Sequence, residues 1–434
     1  MFTVVFSLTL MATLSSCITT NAEMGESIAV AGDASGYVYA FEASSGTLLW
    51  SVNLGGVTQG VAISDDGRFI VVGTTTKLAL LDWAGRILWV KDLGVHEVDI
   101  YDTRVVSISS DGTYIIAAHS DDKIRLYNRW GSQIWSYAFG SCSVAISGDG
   151  RSAAAVGDLG LIFFSVGANG IWDPGDSNPK WGPVGVSYRK VAISQDGRYI
   201  AVGESYGGYA RLYDDEGTEI WTYKVSLRPE GGIVIVDISR DGRRVVAGVD
   251  DPSDSFGAQL VYFWIGSDGD PNSWSLGDGT PVWSFRASTD KHDDVRSVVF
   301  SPDGEYIASG GAAGYSYTFL HRVDSSTPIY QSQPWGLEDE TIGFDGRYII
   351  TADIYGPGSN VLRLYDTWGS NQPLWTYTTN GIVRSVAISR MAPMPVGGEL
   401  EPLNIFAFMA PWITLTLTVT LIGISILTRK RVLI

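Results

Sequence analysis

The amino-acid sequence predicts an all-β protein, a β-propeller of eight four-stranded blades, with one transmembrane helix near its C-terminus. Three observations lead to this prediction. A 13-residue pattern built around an Asp-Gly pair recurs along most of the chain, most copies are followed by a segment that ends in tryptophan, and the last copy contains only the strand that the first copy lacks. Repeats of this length, with several short strands each, are typical of propeller blades.

The recurrent pattern consists of an apolar strand, an Asp-Gly turn and a second apolar strand. VAISQDGRYIAVG at 191–203 recurs as VAISDDGRFIVVG at 61–73 and VDISRDGRRVVAG at 236–248, and VSISSDGTYIIAA and VVFSPDGEYIASG are more distant copies. Asp-Gly between two apolar runs favours a tight hairpin because both turn residues tolerate positive φ. The strands are apolar on both sides, as expected where each sheet packs between two neighbouring sheets.

The spacing of the turn glycines predicts the number of blades. Successive turn glycines are 38 to 62 residues apart, and they are Gly67, Gly112, Gly150, Gly197, Gly242, Gly304 and Gly346. The corresponding blades are predicted at approximately 58–91, 103–138, 141–183, 189–225, 233–286, 295–331 and 338–378. Two units are irregular, because one ends in Tyr330 instead of tryptophan and another carries an insertion before Trp181. A total of seven blades therefore stays open as an alternative.

The two ends of the repeat region predict an eighth, composite blade. Residues 27–52 lack the VAIS-type strand, and residues 383–389 supply such a strand with no further repeat after it. Joining the two segments would close the ring and remove an open sheet edge, which is a general aggregation hazard. A solenoid is the main alternative, but its repeats are usually shorter and its ends need caps.

The N-terminal segment 1–22 is similar to a signal peptide. It has no charged side chain, contains a long apolar stretch and ends in the small residue Ala22, although the usual basic start is missing. Leu14-Ser15-Ser16-Cys17 also resembles a bacterial lipobox, and a chance cysteine in a small-residue region is the alternative. The segment predicts export and leaves lipidation of Cys17 open.

The C-terminal segments predict a membrane anchor. After a propeller domain at 23–390 and a Pro/Gly spacer at 391–404, residues 405–428 carry no charge and are long enough to cross a hydrocarbon layer. The tail 429–434 begins with Arg-Lys-Arg. The positive-inside rule therefore predicts a single-pass cell-membrane protein with a cytoplasmic C-terminus and an outward-facing propeller.

Composition excludes some functions. The net charge is −17, which argues against nucleic-acid binding, since that activity generally needs a basic face. With only two cysteines, Cys17 and Cys142, a disulfide framework or a cysteine-rich metal site is excluded. The four histidines are scattered, and no nucleophile-elbow, zinc-protease or phosphate-loop motif occurs. The sequence therefore predicts no enzyme and assigns no catalytic, cofactor-binding or metal-binding residue.

Two acidic loops are candidate ion sites. The loop 266–279 contains Asp268, Asp270, Asn272 and Asp278 in a spacing that suits Ca²⁺, but it lacks the glycine and glutamate of an EF-hand. Asp, Asn, Gly and Pro are also the ordinary residues of a long turn. The second loop contains Asp250, Asp251 and Asp254, and a solvated turn is expected there.

Two insertions carry tryptophans on loops of the same face. They span 165–181 and 266–282, and they contain or adjoin Trp172, Trp181 and Trp274. Aromatic side chains on long loops of one face would suit a glycan or a protein partner. They would equally suit loops that fold back on the propeller, and both interpretations stay open.

The repeats resemble two propeller families. Residues 40–50, AFEASSGTLLW, look like the tryptophan-docking repeat of the pyrroloquinoline-quinone (PQQ) type, with Trp89, Trp135, Trp221, Trp283 and Trp375 in matching places. Residues 292–304, HDDVRSVVFSPDG, are similar to a WD40 or TolB-type repeat. The PQQ-type resemblance implies eight blades. It does not carry over that family's cofactor site, because the adjacent cysteines of that site are absent.

These patterns predict a non-enzymatic, membrane-anchored extracytoplasmic scaffold or receptor that binds a protein or glycan at the cell surface. No cofactor is expected, apart from the Ca²⁺ considered for the 266–279 loop. Two alternatives are a quinoprotein-like redox enzyme and an envelope-protein assembly factor. The C-terminal spacer, helix and basic tail also resemble the anchors of archaeal surface proteins. The sequence predicts neither the partner nor the oligomeric state.

Overall fold

The computed structural model describes residues 27–96, 104–140, 143–226, 231–250, 259–266, 270, 272–286, 295–311, 317–332, 338–355 and 360–389. They form eight four-stranded antiparallel sheets arranged as the blades of a propeller. The eight-bladed prediction is therefore confirmed, and the seven-bladed alternative is wrong.

Strands β1–β3 begin the chain and belong to the closing blade, and blades 1 to 7 follow with four strands each. The first three are β1 (Ile28–Asp33), β2 (Tyr37–Glu42) and β3 (Leu48–Asn53). Blades 1 to 4 comprise β4 (Thr58–Ile63), β5 (Phe69–Thr74), β6 (Leu78–Asp82), β7 (Ile87–Lys91), β8 (Val106–Ile108), β9 (Tyr114–His119), β10 (Lys123–Asn128), β11 (Gln133–Ala138), β12 (Ser143–Ile146), β13 (Ser152–Gly157), β14 (Gly160–Ser165), β15 (Trp181–Val184), β16 (Tyr188–Ile193), β17 (Tyr199–Glu204), β18 (Tyr209–Asp214) and β19 (Glu219–Lys224).

Blades 5 to 7 and the final strand complete the ring. They comprise β20 (Ile233–Ile238), β21 (Arg244–Asp250), β22 (Gln259–Trp264), β23 (Trp283–Arg286), β24 (Ser297–Phe300), β25 (Tyr306–Gly311), β26 (Tyr317–Arg322), β27 (Tyr330–Gln331), β28 (Glu338–Phe344), β29 (Tyr348–Tyr355), β30 (Val361–Asp366), β31 (Trp375–Thr378) and β32 (Val383–Ile388). Within blades 1 to 7 the strands pair in chain order, and the first strand of each blade lines the central channel.

The closing blade joins the two ends of the repeat region, as the sequence predicts. Strand β32 pairs antiparallel with β1, and Val30 lies opposite Ala387. Ser389 strengthens the joint, because its backbone N–H donates to the carbonyl of Ile28 at 2.9 Å and its Oγ accepts from the Ile28 N–H at 2.9 Å. The ring is thus closed by main-chain hydrogen bonds.

Six of the seven Asp-Gly turns are held by a serine that precedes the aspartate by two residues, whereas blade 7 has Gly343 at that position. In blade 4, Ser194 Oγ donates to Asp196 Oδ1 at 2.7 Å and accepts from the Tyr199 N–H at 3.1 Å. Gly197 has a φ of 72°, a conformation that costs glycine nothing. Blades 1, 2, 3, 5 and 6 repeat the Ser–Asp hydrogen bond at 2.5–2.8 Å. These side chains explain why Ser-x-Asp-Gly recurs with so little variation.

Alternate residues of each blade pack on opposite neighbours. In the closing blade, Ala31 and Phe41 are buried against blade 7, whereas Val30, Val38 and Ala40 are buried against blade 1. Because side chains alternate along a strand, a sheet between two neighbours must be apolar on both faces. This packing accounts for the uniformly apolar strands.

Outer-strand tryptophans connect neighbouring blades. Five of them donate their indole N–H to a carbonyl in the next blade at 2.7–3.0 Å, and these are Trp50, Trp89, Trp181, Trp283 and Trp375. Four of them lie over the glycine of that blade's turn, where a Cβ would meet the indole ring, and those glycines are Gly85, Gly131, Gly217 and Gly46. The remaining three joints differ and are described below.

Within the described residues, no helix is long and apolar enough to cross a membrane. The predicted membrane segment 405–428 lies outside the described residues, as do the segments 1–22, 391–404 and 429–434. Cys17, Cys142 and His292 also lie outside them.

Candidate functional site

One face of the ring carries the Asp-Gly turns and the turns between the third and fourth strands, and we call it the turn face. Its innermost turns bond to one another around the channel. The Asp65 N–H donates to the Ser110 carbonyl at 3.0 Å, and Gln195 N–H donates to the Arg240 carbonyl at 2.9 Å. Further bonds of the same kind connect blade 2 with blade 3 and blade 3 with blade 4. The turns of blades 1 to 5 therefore form a rigid, hydrogen-bonded rim.

The side chain of Arg240 spans the channel at this rim. Arg240 projects from blade 5 and forms an ion pair with Asp65 of blade 1, on the opposite side of the eight-bladed ring. The same guanidinium donates to Ser110 Oγ at 2.6 Å. Asp65, Ser110 and Arg240 all occupy the variable second position of the Ser-x-Asp-Gly turn. No pattern in the sequence relates those variable positions, so the sequence does not predict this contact.

Described residues of the inner strands and turns enclose two cavities in the channel. The cavity beside the Arg240 ion pair has a volume of about 260 Å³, and its exposed lining is mostly polar, with Ser107, Gln195 and Asp237 beside apolar side chains such as Ile193 and Phe300. The Asp237 carboxylate accepts from the Phe300 N–H at 2.9 Å. Burial raises the pKa of this carboxyl, and the nearby positive charge of Arg104 opposes that effect. The second cavity, of about 230 Å³, is lined by the inner strands of blades 1, 2, 6 and 7 and by β32. Arg104 lines both cavities.

The turn face also displays exposed tryptophans. Trp130 and Trp368 are 74% and 75% exposed, and Trp83 is 38% exposed. All three lie in the turn between the third and fourth strands, in blades 2, 7 and 1. Since the closing blade lies between blades 7 and 1, these three tryptophans occupy one half of the rim. Trp264, the last residue of β22 in blade 5, is 48% exposed and lies in the other half. In sequence, the three turn tryptophans differ from the docking tryptophans only in position: they lie in the turn before the fourth strand and not on that strand.

The tryptophans of the two insertions fold back on the propeller, so the second of the two interpretations is correct for them. Trp172 is 5% exposed, and its indole N–H donates to the Gly150 carbonyl at 2.6 Å. Trp274 is 6% exposed and donates in the same way to the Gly242 carbonyl at 2.5 Å. Each ring therefore bonds to the Asp-Gly turn of its own blade, and Trp181 is a docking tryptophan. None of the three offers a free aromatic surface for a glycan.

These folded insertions replace the usual docking contact. Trp172 packs against Trp135 with ring centroids 5.8 Å apart, and Trp274 packs against Trp221 at 6.1 Å. Trp135 and Trp221 belong to the preceding blades, and their indole nitrogens have no hydrogen-bond partner among the described residues. The eighth joint pairs Tyr330 with Tyr365 at 6.1 Å. Every joint between blades is thus aromatic, although three lack the docking hydrogen bond.

The acidic loops give limited support to an ion site. Asp270 accepts from the Asn272 N–H and from Ser273 Oγ, and the Ser273 bond lowers the pKa of its carboxyl. Asp278 is fully buried and accepts from the Ser275 N–H at 3.0 Å in a short 3-10 helix, Leu276–Gly279. Among the described residues no cluster of three or more His, Cys, Asp or Glu side chains is placed to hold a metal. Asp268, Asp251 and Asp254 lie outside the described residues.

Two of the four histidines are buried between blades. His119 Nε2 lies 3.0 Å from the Tyr127 hydroxyl. His321 is enclosed by Phe285 and Trp283, with ring centroids 4.6 and 5.5 Å away, and neither of its nitrogens has a hydrogen-bond partner in the described part of the chain. Burial lowers the pKa of each imidazole to about 4. Both histidines are structural, and both are neutral at pH 7.

We expect His321→Phe to reduce the acid sensitivity of the protein. The unfolded chain binds a proton at His321 near the ordinary pKa, about 6.5, whereas the folded chain does so only near pH 4. His321 therefore makes its full contribution to the free energy of unfolding above about pH 6.5. That contribution declines as the pH falls towards 4, by up to about 1.4 kcal/mol per pH unit. Urea unfolding of wild type and variant at pH 7 and 5 measures the difference. An unchanged pH dependence in the variant would mean that the imidazole of His321 has the same pKa in the folded and unfolded protein.

The repeats match two family models. The model described as outer membrane protein assembly factor BamB, of the PQQ-like repeat type, matches residues 34–184. The model of the WD domain, G-beta repeat, matches residues 279–315. The chain is therefore a propeller of PQQ-like and WD40-like repeats, which confirms the resemblance seen in the sequence. No curated protein matches the sequence significantly.

Solved structures agree with the fold. Dihydro-heme d1 dehydrogenase NirN in complex with DHE is 15% identical, with a TM-score of 0.61 over 86% of this chain and 77% of that one. The computationally designed Ika8 protein is 12% identical, with a TM-score of 0.56 over 80% and 98%. The Cps50 (Swd1) propeller domain of Myceliophteria thermophila is 15% identical, with a TM-score of 0.51 over 69% and 94%. At these identities the likeness concerns the fold alone.

Proposed function

We propose that this chain is a non-enzymatic scaffold that binds a protein partner through the turn face. The observation behind this proposal is the exposure of Trp130 and Trp368, each about three-quarters accessible, in the same half of one rim, three blades apart. Tryptophan is enriched among the residues that contribute most to protein interfaces.

The turns that carry these tryptophans are already ordered for binding. The Trp130 N–H donates to Asn128 Oδ1 at 3.1 Å, and the Trp368 N–H donates to Asp366 Oδ1 at 3.0 Å. The Arg347 guanidinium lies 5.2 Å from the Trp368 ring and pairs with Asp366 at 2.8 Å. A partner therefore meets a fixed backbone, which reduces the entropy lost on binding.

Site-specific photo-crosslinking in the native cell tests this proposal. A benzophenone amino acid replaces Trp130 or Trp368 in the full chain, and both positions are expected to form an adduct with the same protein. Tyr206 serves as the control because it is 75% exposed but lies in the turn between β17 and β18, on the opposite face. Trp130→Ala should abolish the adduct formed from position 368 while leaving stability within about 0.5 kcal/mol of wild type.

Adducts that form equally from position 206, or that differ between positions 130 and 368, would contradict a shared docking face. The glycan alternative would instead be supported if no protein adduct forms and the wild-type protein, but not Trp130→Ala, is retained on surface glycans. The tryptophans of the two insertions do not affect either result, because Trp172 and Trp274 are buried and cannot contact a partner.

We further propose that the propeller is extracytoplasmic and held at the membrane by residues 405–428. The uncharged segment and the Arg-Lys-Arg that follows it support this orientation. A membrane-impermeant thiol reagent should label Trp130→Cys on intact cells above the wild-type background. Labelling only after the cells are lysed would place the turn face inside.

Envelope-protein assembly is a second candidate function. The match of residues 34–184 to the assembly-factor model favours it, and the partner at the turn face would then be an envelope protein in the course of folding. The crosslinking experiment separates the two roles, because an assembly factor should give several newly made envelope proteins as adducts. A surface receptor should give one dominant partner.

A further inference from the structure

A stripe of exposed aliphatic side chains bridges the turn-face tryptophans of blades 7 and 1. It follows the outer wall of blade 7, the closing blade and blade 1, at the turn-face end of each outermost strand. Trp368 and Trp83 lie in the turns that precede the stripe in blades 7 and 1, whereas the corresponding turn of the closing blade has no tryptophan. We call it the shoulder stripe, and its members, each 39–48% exposed, are Leu374, Leu48, Leu49, Ile87 and Leu88.

The other blades do not continue this stripe. Blades 2, 3 and 4 have the exposed polar residues Gln133, Lys180 and Glu219 at the corresponding positions. Val282 and Ile329 of blades 5 and 6 are exposed, but each is a single aliphatic residue after a proline. Single exposed apolar residues are ordinary, whereas contiguous ones rimmed by polar residues mark interaction sites. The closing blade and blade 1 therefore form the centre of a candidate docking surface.

The two leucines at the centre of the stripe are the extra residues of β-bulges. The register between β2 and β3 shifts so that Leu49 has no counterpart, and the same shift between β6 and β7 leaves out Leu88. Blades 2 and 4 have this bulge too, but their bulged residues Ile134 and Ile220 are less exposed. A bulge re-aims a side chain and interrupts the strand edge. A partner therefore docks on these side chains and does not extend the sheet as an added strand.

Docking contacts hold the stripe and the exposed tryptophans together as one surface. The Trp375 ring lies against the turn glycine of the closing blade, and the Trp50 ring lies against that of blade 1. Trp50 also donates its indole N–H to the Trp83 carbonyl at 2.8 Å. Trp89 donates to the carbonyl of the residue before Trp130 at 2.9 Å. Three docked joints thus follow one another from blade 7 to blade 2, and nowhere else in the described ring are two docked joints consecutive.

The ion pairs beside the stripe expose their guanidinium groups. The side chain of Arg86 is 79% exposed, and that of its partner Asp82 is 9% exposed. Arg68, whose carbonyl accepts from the Trp83 N–H, is 61% exposed, and its partner Asp66 is 35% exposed. In blades 5 and 6 the acid is the more exposed member of such pairs. Although the net charge is −17, a partner at the stripe therefore contacts guanidinium groups first, which favours acidic side chains on that partner.

We propose that the shoulder stripe and the turn-face tryptophans together bind one segment of the partner protein, in which apolar side chains are flanked by Asp or Glu. This inference rests on the proposed function, because it names the kind of partner that the same tryptophans bind. The apolar side chains of the segment pack on the stripe between Trp368 and Trp83. Its acidic side chains contact Arg86 and Arg68.

Photo-crosslinking from the closing blade of the full chain, in the native cell, tests this inference. A benzophenone amino acid replaces Leu49, and the expected adduct contains the same protein that positions 130 and 368 capture. Peptide mapping of the adduct by mass spectrometry should place the crosslink on an apolar residue with Asp or Glu close by in the sequence. Arg86→Glu should reduce the yield from position 49 about tenfold or more, because it sets a carboxylate against the acidic flank of the segment.

Arg322→Glu is the matched control for the charge reversal. Arg322 lies at the turn-face end of β26 in blade 6, is 46% exposed and is paired with Asp324. It is remote from the stripe, so the yield from position 49 should stay within about twofold of wild type. If Arg86→Glu does not fold, Arg68→Glu takes its place with the same loss expected.

The outcomes separate this inference from the function on which it rests. Protein adducts from positions 130 and 368 but not from position 49 would overturn the inference and leave the proposed function standing. The absence of a protein adduct from all three positions would remove both. The inference alone also fails if position 49 captures lipid, a second copy of this chain or a basic segment. Equal yields in Arg86→Glu and Arg322→Glu would overturn it as well.

Discussion

Replacing Val386 by aspartate is expected to lower the free energy of unfolding by about 3–5 kcal/mol, because it buries a carboxylate without a partner. Val386 lies in β32, the strand that closes the ring, and is only 7% exposed. It lies opposite Ala31 of β1 and packs in the cluster shared by the closing blade and blade 7. The substitution therefore disrupts the packing of the closing blade and of its joint to blade 7. Urea unfolding, followed by far-ultraviolet circular dichroism, measures the loss of unfolding free energy.

Val90→Asp is the matched control for this experiment. Val90 is also a strand residue, but it lies in the outer strand β7 and is 43% exposed. A new carboxylate there stays hydrated, so we expect a change within about 1 kcal/mol. Similar losses in the two variants would mean that residues 383–388 do not occupy the inner position of the closing blade in solution. The comparison thus measures ring closure itself.

The architecture was predictable because it depends on local patterns repeated many times. The pattern VAISQDG specifies an inner strand, a serine that holds the turn and a glycine with positive φ, all within seven residues. The complementary ends at 27–52 and 383–389 then require a shared blade. Each of these inferences needs only neighbouring residues or a comparison between copies.

The candidate sites were not predictable, because they depend on positions where the copies differ. Asp65 and Arg240 are 175 residues apart and meet only because blades 1 and 5 are opposite each other. Arg104 is conspicuous only because the fold places it beside both channel cavities. In the sequence, both arginines look like ordinary polar residues of a strand or turn.

Tryptophan positions show the same limit at shorter range. Trp130 and Trp135 are five residues apart, yet the first is 74% and the second 3% exposed. The difference follows from the turn: Trp130 immediately precedes Gly131 at the tip, whereas Trp135 lies on the outer strand and faces the next blade. The long insertions are more conspicuous in sequence, but the rings of Trp172 and Trp274 within them are buried.

Trp274→Ala is expected to lower the free energy of unfolding by about 3–5 kcal/mol, the usual cost of removing a buried aromatic ring. The ring fills the joint between blades 4 and 5 by packing on Trp221, and its N–H donates to the carbonyl of Gly242. Its loss leaves a cavity beside Trp221 and a turn carbonyl without its donor. Urea unfolding by circular dichroism avoids the change in fluorescence that removal of a tryptophan causes.

Trp264→Ala provides the control, because Trp264 ends strand β22 just before the same insertion and is 48% exposed. We expect Trp264→Ala to change stability by no more than about 1 kcal/mol. The decisive quantity is the difference between the two variants, since both remove the same side chain ten residues apart. Equal and small losses would mean that the insertion does not pack on the propeller in solution. Trp274 would then be free for a ligand, and the glycan-binding interpretation of the insertions would regain its basis.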